Sequence, residues 1–158
     1  MAGEALSKID QRIKELQIVL PEVAPAGNYV PAVRTGNLVF ISGQLPKVEG
    51  KIAFKGRVGK DLNLETARRA AKACVVNLVS ALRNEVGNLE KVKRIVRVMG
   101  YINTYPGFND HVKVMDAASE LLVEIFGETV GPHARAVVGV VELPMMASME
   151  MEMIAEVR

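Results

Sequence analysis

Arg135 stands near the head of a β-branched run, His133-Ala134-Arg135-Ala136-Val137-Val138-Gly139-Val140-Val141. A guanidinium in such company has to meet an anion, because a buried charge without a partner loses its hydration and gains nothing in return. The anion is either another side chain or the carboxylate of a small ligand. Guanidinium and carboxylate form two parallel hydrogen bonds, so a ligand held this way is fixed in both distance and orientation. A second chemical feature follows closely. In Met149-Glu150-Met151-Glu152-Met153 the two carboxylates share one face of an extended segment and the methionines share the other. The methionine face reads as core. Whether Arg135 and Glu150 face the same side depends on strand register, which this sequence does not reveal.

Other groups capable of chemistry are few. Cys74, the single cysteine, falls on the apolar stripe of a helix. His133 titrates near neutral pH and reads either as a loop residue or as a participant beside Arg135; His111 reads as a helix-surface residue. Two isolated histidines and one cysteine have no metal-ligand spacing, so no metal is expected. Lys91-Val92-Lys93-Arg94-Ile95-Val96-Arg97 is the basic cluster, and its alternation with aliphatic residues suits a solvated strand or an interface.

The elements that must position these groups follow from periodicity. Residues 4–17 carry Leu6, Ile9, Ile13 and Leu16 at helical spacing, ending before Pro21. Strands are expected at 29–34 and 38–42, joined by the hairpin signal Thr35-Gly36-Asn37, with Pro31 placing the first at an edge. Gly43 and Pro46 should break the second strand, and residues 47–60 should form an exposed loop with a short extra strand. A long helix should follow Asn63 and stop at Gly87, with Leu64, Ala67, Ala71, Cys74, Leu78 and Leu82 as its apolar stripe. Then come a strand over 92–103, a helix over 110–125, and a closing hairpin of 135–142 with 148–157. Both long helices lie between strands, so right-handed crossovers put them on one face of a mixed sheet. The opposite face still carries Val, Ile and Met. A second copy of the chain is its simplest cover.

Composition sets the outer bounds. The 158 residues are 49% apolar and 24% charged, with a net charge of +2, which suits one soluble domain over residues 1–158. No apolar run reaches the ~20 residues a membrane span requires. The start, Met1-Ala2-Gly3-Glu4, reads as no signal peptide, and the cytoplasm is the expected location. So mild a net charge, with no tryptophan, argues against a nucleic-acid partner.

Three stretches resemble the RidA/YjgF family, formerly called endoribonuclease L-PSP. They are Gly27-Asn28-Tyr29-Val30, the run from Gly36 to Pro46 (Gly-Asn-Leu-Val-Phe-Ile-Ser-Gly-Gln-Leu-Pro), and a C-terminal group. That group comprises Ala134-Arg135, Val138-x-Val140, Leu143-Pro144 and Glu150-x-Glu152-x-x-Ala155. The resemblance covers about residues 25–158, with residues 1–20 as an additional N-terminal helix. It implies an α+β, chorismate-mutase-like fold: a mixed sheet with two long helices on one face, assembled as a homotrimer with an inner sheet barrel and clefts between subunits. It also implies cofactor-independent hydrolysis of 2-imino or enamine acids to 2-keto acids and ammonia. Arg135 then matches the carboxylate-binding arginine and Glu150 the acidic residue at the reacting centre, the two catalytic candidates. Tyr29, Ser42 and Gly43 match positions lining the cleft, and Ala136 and Val137 stand where many imine deaminases have serine and cysteine.

Within that resemblance Glu150 either orients and deprotonates the hydrolytic water or forms a structural ion pair. Tyr29 either donates its hydroxyl to a substrate or caps the barrel; Gly43 either admits a ligand to the backbone or makes a plain turn. Two further functions stay open, a non-enzymatic trimer that binds small carboxylates for regulation and a ribonuclease-like activity. The former is suggested by the extra helix and by Ala136 and Val137.

Overall fold

The computed structural model describes residues 6–158. Its first helix, α1 (Lys8–Glu15), is capped by Ser7, whose side chain accepts from the Asp10 amide. Positions 4 and 5 of the expected helix lie outside the described residues. Strands β1 (Ala32–Thr35) and β2 (Leu38–Gln44) form the expected hairpin, with Thr35 opposite Leu38 and Gly36 at positive φ in the turn. β2 does not break at Gly43 as expected. It continues to Gln44 through a bulge, an irregularity between Ile41 and Gln44 that preserves pairing with the next strand. Two-residue strands β3 (Lys47–Val48) and β4 (Lys51–Ile52) make a separate small hairpin.

Helix α2 (Leu64–Val86) begins where Asn63 Oδ1 accepts from the Thr66 amide at 2.9 Å and ends at Gly87, φ 77°. Its apolar stripe is fully buried at Ala67, Ala71, Cys74, Leu78 and Leu82. Burying a leucine this completely contributes about 1.5–3 kcal/mol, which explains why the stripe dictates the helix's orientation. Strand β5 (Val92–Asn103), helix α3 (His111–Phe126), strand β6 (Ala134–Val140) and strand β7 (Met149–Val157) complete the chain.

The main sheet runs β1-β2-β7-β5-β6, and only β5 and β6 are parallel. The expected closing hairpin does not exist. β7 pairs with β2 on one side and β5 on the other, while β6 pairs with β5 as the product of a crossover through α3. The reason is that β5 and β6 flank a 16-residue helix, and a strand-helix-strand unit closes as a parallel pair. β7 then fills the slot between β2 and β5. β6 is left as an edge strand.

Both long helices cover one face, as the strand–helix alternation predicted. Met149, Met151 and Met153 point into that layer and are 0–1% exposed. The other face is open. Leu38, Phe40, Val33 and Val138 are exposed there, and Arg97, Met99, Glu152 and Ile154 line a groove of ≈ 210 Å³ together with Phe40 and Ser42. α1 docks at the far side of the helical layer, where Asp10 meets Arg83 at 3.1 Å and Glu90 accepts from the Ile9 amide at 3.0 Å.

Candidate functional site

Strand pleat decides which candidate side chains can meet. Arg135 pairs with Val98, a fully buried residue of the helical face, so its side chain rises from edge strand β6 toward α3. There Nη2 donates to Asp116 Oδ1 at 3.0 Å and Nη1 donates to Ser119 Oγ at 2.9 Å. Asp116 and Ser119 are three residues apart and share one face of α3. The anion that Arg135 required is thus an internal one, yet the pair is not sealed: side-chain exposure is 20% for Arg135 and 44% for Asp116.

His133 belongs to the same cluster. Its Nδ1 lies 2.7 Å from the Gly131 carbonyl and its Nε2 lies 2.9 Å from Ser119 Oγ. A carbonyl can only accept, so Nδ1 carries the proton, and in the neutral ring Nε2 accepts from the serine hydroxyl. The chain of donors is then continuous: Arg135 to Ser119, Ser119 to His133, His133 to Gly131. Burial and, secondarily, the neighbouring Arg135 hold the histidine below its ordinary value, against the pull of the Gly131 carbonyl. His133 lies in the loop before β6, as one of its two readings has it, and there it ties Gly131 to the Ser119 hydroxyl that Arg135 also contacts.

Glu150 is on the other face. It pairs with Tyr101 on β5 and turns toward β2, where a Cβ on Gly43 would stand 1.9 Å from its Oε1. The missing side chain of Gly43 therefore makes room for the Glu150 carboxylate. Burial, with Glu152 as the second cause, raises the Glu150 carboxyl above its usual range. Tyr101, its cross-strand partner, is likewise pushed up by burial first and then by Glu152.

Ser42 donates its hydroxyl to the Val30 carbonyl at 2.7 Å, and its amide donates to Pro31 at 2.9 Å. It pins the segment that carries Tyr29 to β2. The Tyr29 hydroxyl accepts from the Ala26 amide at 3.2 Å, and the residue stays 48% exposed. Ala136 faces the open side opposite Met99, whereas Val137 shares the helical face with Arg135 and packs against the core.

Within one chain the candidates therefore form two groups. Tyr29, Ser42, Gly43 and Glu150 gather on and beside β2 and β7; Arg135, with Val137, sits at the β6 edge on the reverse face. Sequence reasoning missed Asp116 and Ser119, and it missed Tyr101. A polar pair one turn apart beside the apolar positions of α3 was the available signal for the first two. Cys74 is fully buried, and burial pushes its thiol well up, which leaves no accessible nucleophile there. His111 heads α3 with its ring 5.3 Å from that of Phe108. In the basic cluster, Lys93 meets Glu156 at 2.8 Å.

Comparison with known proteins agrees with this architecture. The sequence model of the family described as "YjgF/chorismate_mutase-like, putative endoribonuclease" matches residues 10–157. Protein TCP17 of Trypanosoma cruzi is 37% identical over 157 residues, covering 99% of this chain and 98% of that one. The crystal structure of Atu1372 from Agrobacterium tumefaciens, a protein of unknown function, is 41% identical, with a TM-score of 0.89 over 95% of this chain and 92% of that one. Escherichia coli TdcF with bound serine is 25% identical, with a TM-score of 0.61 over 85% of this chain and 91% of that one.

Proposed function

The chain belongs to the YjgF/chorismate-mutase-like family, and from that membership we propose that it hydrolyses 2-imino or enamine acids to 2-keto acids and ammonia, without a cofactor. The carrying observation is the state of Arg135: its guanidinium is held from two directions by Ser119 and Asp116 but remains accessible at an edge strand. Such a group is preorganised to take a carboxylate on its remaining N–H donors. The serine bound to TdcF supports a small carboxylate as the ligand class.

Catalysis in this reading needs two copies. Arg135 and Glu150 leave opposite faces of their own sheet, so one copy's β6 edge must approach another copy's open face near β2 and β7. The exposed Phe40, Leu38 and Val138 give that face an apolar surface to bury, and a homotrimer with its sheets turned inward would bury it. Tyr29, Ser42 and Gly43 would then line the cleft, and Ala136, on the open face, would bound it with aliphatic surface, while Val137 packs into the core behind Arg135 instead of meeting the ligand.

The chemistry follows from the two charged groups. Arg135 fixes the substrate carboxylate and hence the imine carbon. Glu150, whose carboxylate is made more basic than an ordinary one by burial, takes a proton from water as the water oxygen bonds to that carbon. The carboxylic acid returns the proton to nitrogen. The hydroxyl proton then passes through Glu150 to the departing nitrogen as the C–N bond breaks, giving the 2-keto acid and ammonia. A direct assay generates 2-imino acids with an amino-acid oxidase and follows ammonia release; no acceleration over buffer across several amino acids would sink the proposal.

One observation favours a second reading, a trimer that binds small carboxylates without turnover. Asp116 already neutralises Arg135, and Ala136 and Val137 offer no group for chemistry. Thermal stabilisation by 2-keto acids with no ammonia release would select it.

A further inference from the structure

We infer that Asp116 is a specificity-determining residue, and that the Arg135–Asp116 pair recognises a zwitterion: a small acid with a carboxylate and a cationic nitrogen on adjacent carbons. The inference rests on the carboxylate-clamp reading of Arg135 and specifies its ligand further. An arginine facing only solvent and a serine would present bare positive charge and would select for anions alone. Here the guanidinium shares its position with a carboxylate 3.0 Å away. The two charges together present a dipole, and a dipole is best met by a ligand carrying the opposite pair.

Details of the contacts support this use. Arg135 commits Nη1 to Ser119 and Nη2 to Asp116, leaving further N–H donors unengaged among the described residues. Asp116 commits Oδ1 alone, and Oδ2 accepts from no group among the described residues. Asp116 is also the more exposed partner, at 44% against 20%, so its free oxygen is open to a ligand. The Ser119–His133 contact at 2.9 Å fixes the side of the guanidinium away from Asp116, which prevents the arginine from turning to chelate both carboxylate oxygens. A protonated 2-imino acid and a 2-amino acid both carry the required charges; a 2-keto or 2-hydroxy acid carries only the negative one. The site would thereby hold an iminium substrate more tightly than its keto-acid product, which lacks the nitrogen.

Asp116→Asn tests this without disturbing the scaffold, because the amide oxygen can still accept from Nη2 while the negative charge is removed. The probes are L-2-aminobutyrate and L-2-hydroxybutyrate, which differ only in ammonium against hydroxyl, titrated calorimetrically into the full-length protein. The wild type should bind the amino acid more tightly. In D116N the preference should invert, the ratio of the two affinities moving by about tenfold, the scale of one charge-assisted hydrogen bond. An unchanged ratio, whether both affinities move together or neither does, would overturn the role of Asp116 and leave the carboxylate clamp standing. Failure of the wild type to bind either ligand would remove the clamp reading and this inference with it.

Discussion

Arg135 and Glu150 project from opposite faces of a single sheet, with β5 between their strands. No side-chain rotation brings them to one substrate within a chain, because adjacent residues of a pleated strand alternate faces and the sheet backbone stands between. Any chemistry using both has to be built at a boundary between copies. In the proposed mechanism this relationship makes assembly of copies a condition of activity.

Phe40→Asp should therefore abolish assembly and activity together. Phe40 is 43% exposed on the open face of β2, and a carboxylate there is harmless to a monomer but would have to be desolvated in an apolar interface. Light scattering on a sizing column should report the mass of one chain, with the circular dichroism of a folded protein. Retention of a trimer's mass would refute the inward-facing arrangement.

Replacing Arg135 separates clamp from scaffold. Arg135→Lys keeps the charge but loses the planar fork, so carboxylate binding should weaken by about tenfold or more. Arg135→Ala should eliminate imine hydrolysis, while costing only about 1–3 kcal/mol of stability, since the partners it leaves are partly solvated. Equal kcat/KM in R135A and wild type would remove the residue from the mechanism.

Gly43→Ala tests the packing of Glu150. The added methyl would sit 1.9 Å from Oε1, so the carboxylate must swing away, at a cost of about 1–3 kcal/mol in chemical denaturation. Glu150→Ala in the same chain removes the obstruction, so the double mutant should be less destabilised than the two single effects summed. Strict additivity would count against the contact.

Glu150→Gln should uncouple stability from catalysis. The folded state raises the pKa of Glu150, so it holds the proton more tightly than the unfolded chain does. Ionisation then opposes folding, and this loss grows as pH rises from the ordinary carboxyl value through the raised one. The glutamine variant escapes it: its melting temperature should exceed that of wild type at pH 7, and the gap should close toward pH 4. Activity should fall by about 10²–10⁴ if the carboxylate moves the proton. A variant that is both less stable at pH 7 and fully active would contradict both parts.

His133 gives the opposite acid-side signature. Its folded pKa is lowered, so unfolding takes up a proton and stability declines as pH drops below the ordinary histidine value, about 6.5. His133→Gln should flatten that decline in melting temperature between pH 7 and 5. Ser119→Ala should raise KM more than it changes kcat, because it frees the Nη1 side of Arg135 without touching a reacting atom. An identical acid slope in H133Q would exclude His133 as its source.

Much of the local structure was legible because it is written in local chemistry. Asn63 and Gly87 bound α2 through capping and a positive φ, both properties of one or two residues. The Met/Glu alternation of β7 assigned its faces correctly, since side-chain direction in a strand depends only on parity. Strand order was another matter. The apolar runs around Arg135 and Glu150 are separated by a short turn segment, and nearness in sequence suggested a hairpin; the structure inserts β5 between them. Pairing energy is gained between whichever strands the crossover helix brings side by side, and no local pattern encodes that choice.

The sequence by itself determined that an arginine needing an anion would stand in an apolar strand, and that a carboxylate would face away from a methionine core. Only the tertiary structure decided which anion and which faces. Asp116 and Ser119 meet Arg135 because α3 packs across β6, a contact between residues nineteen and sixteen positions apart. Glu150 turns the other way because β7 entered the sheet antiparallel to β5, in a register set by the burial of Met149, Met151 and Met153. Burying that apolar face fixed the orientation of the strand, and the carboxylates went where the methionines did not.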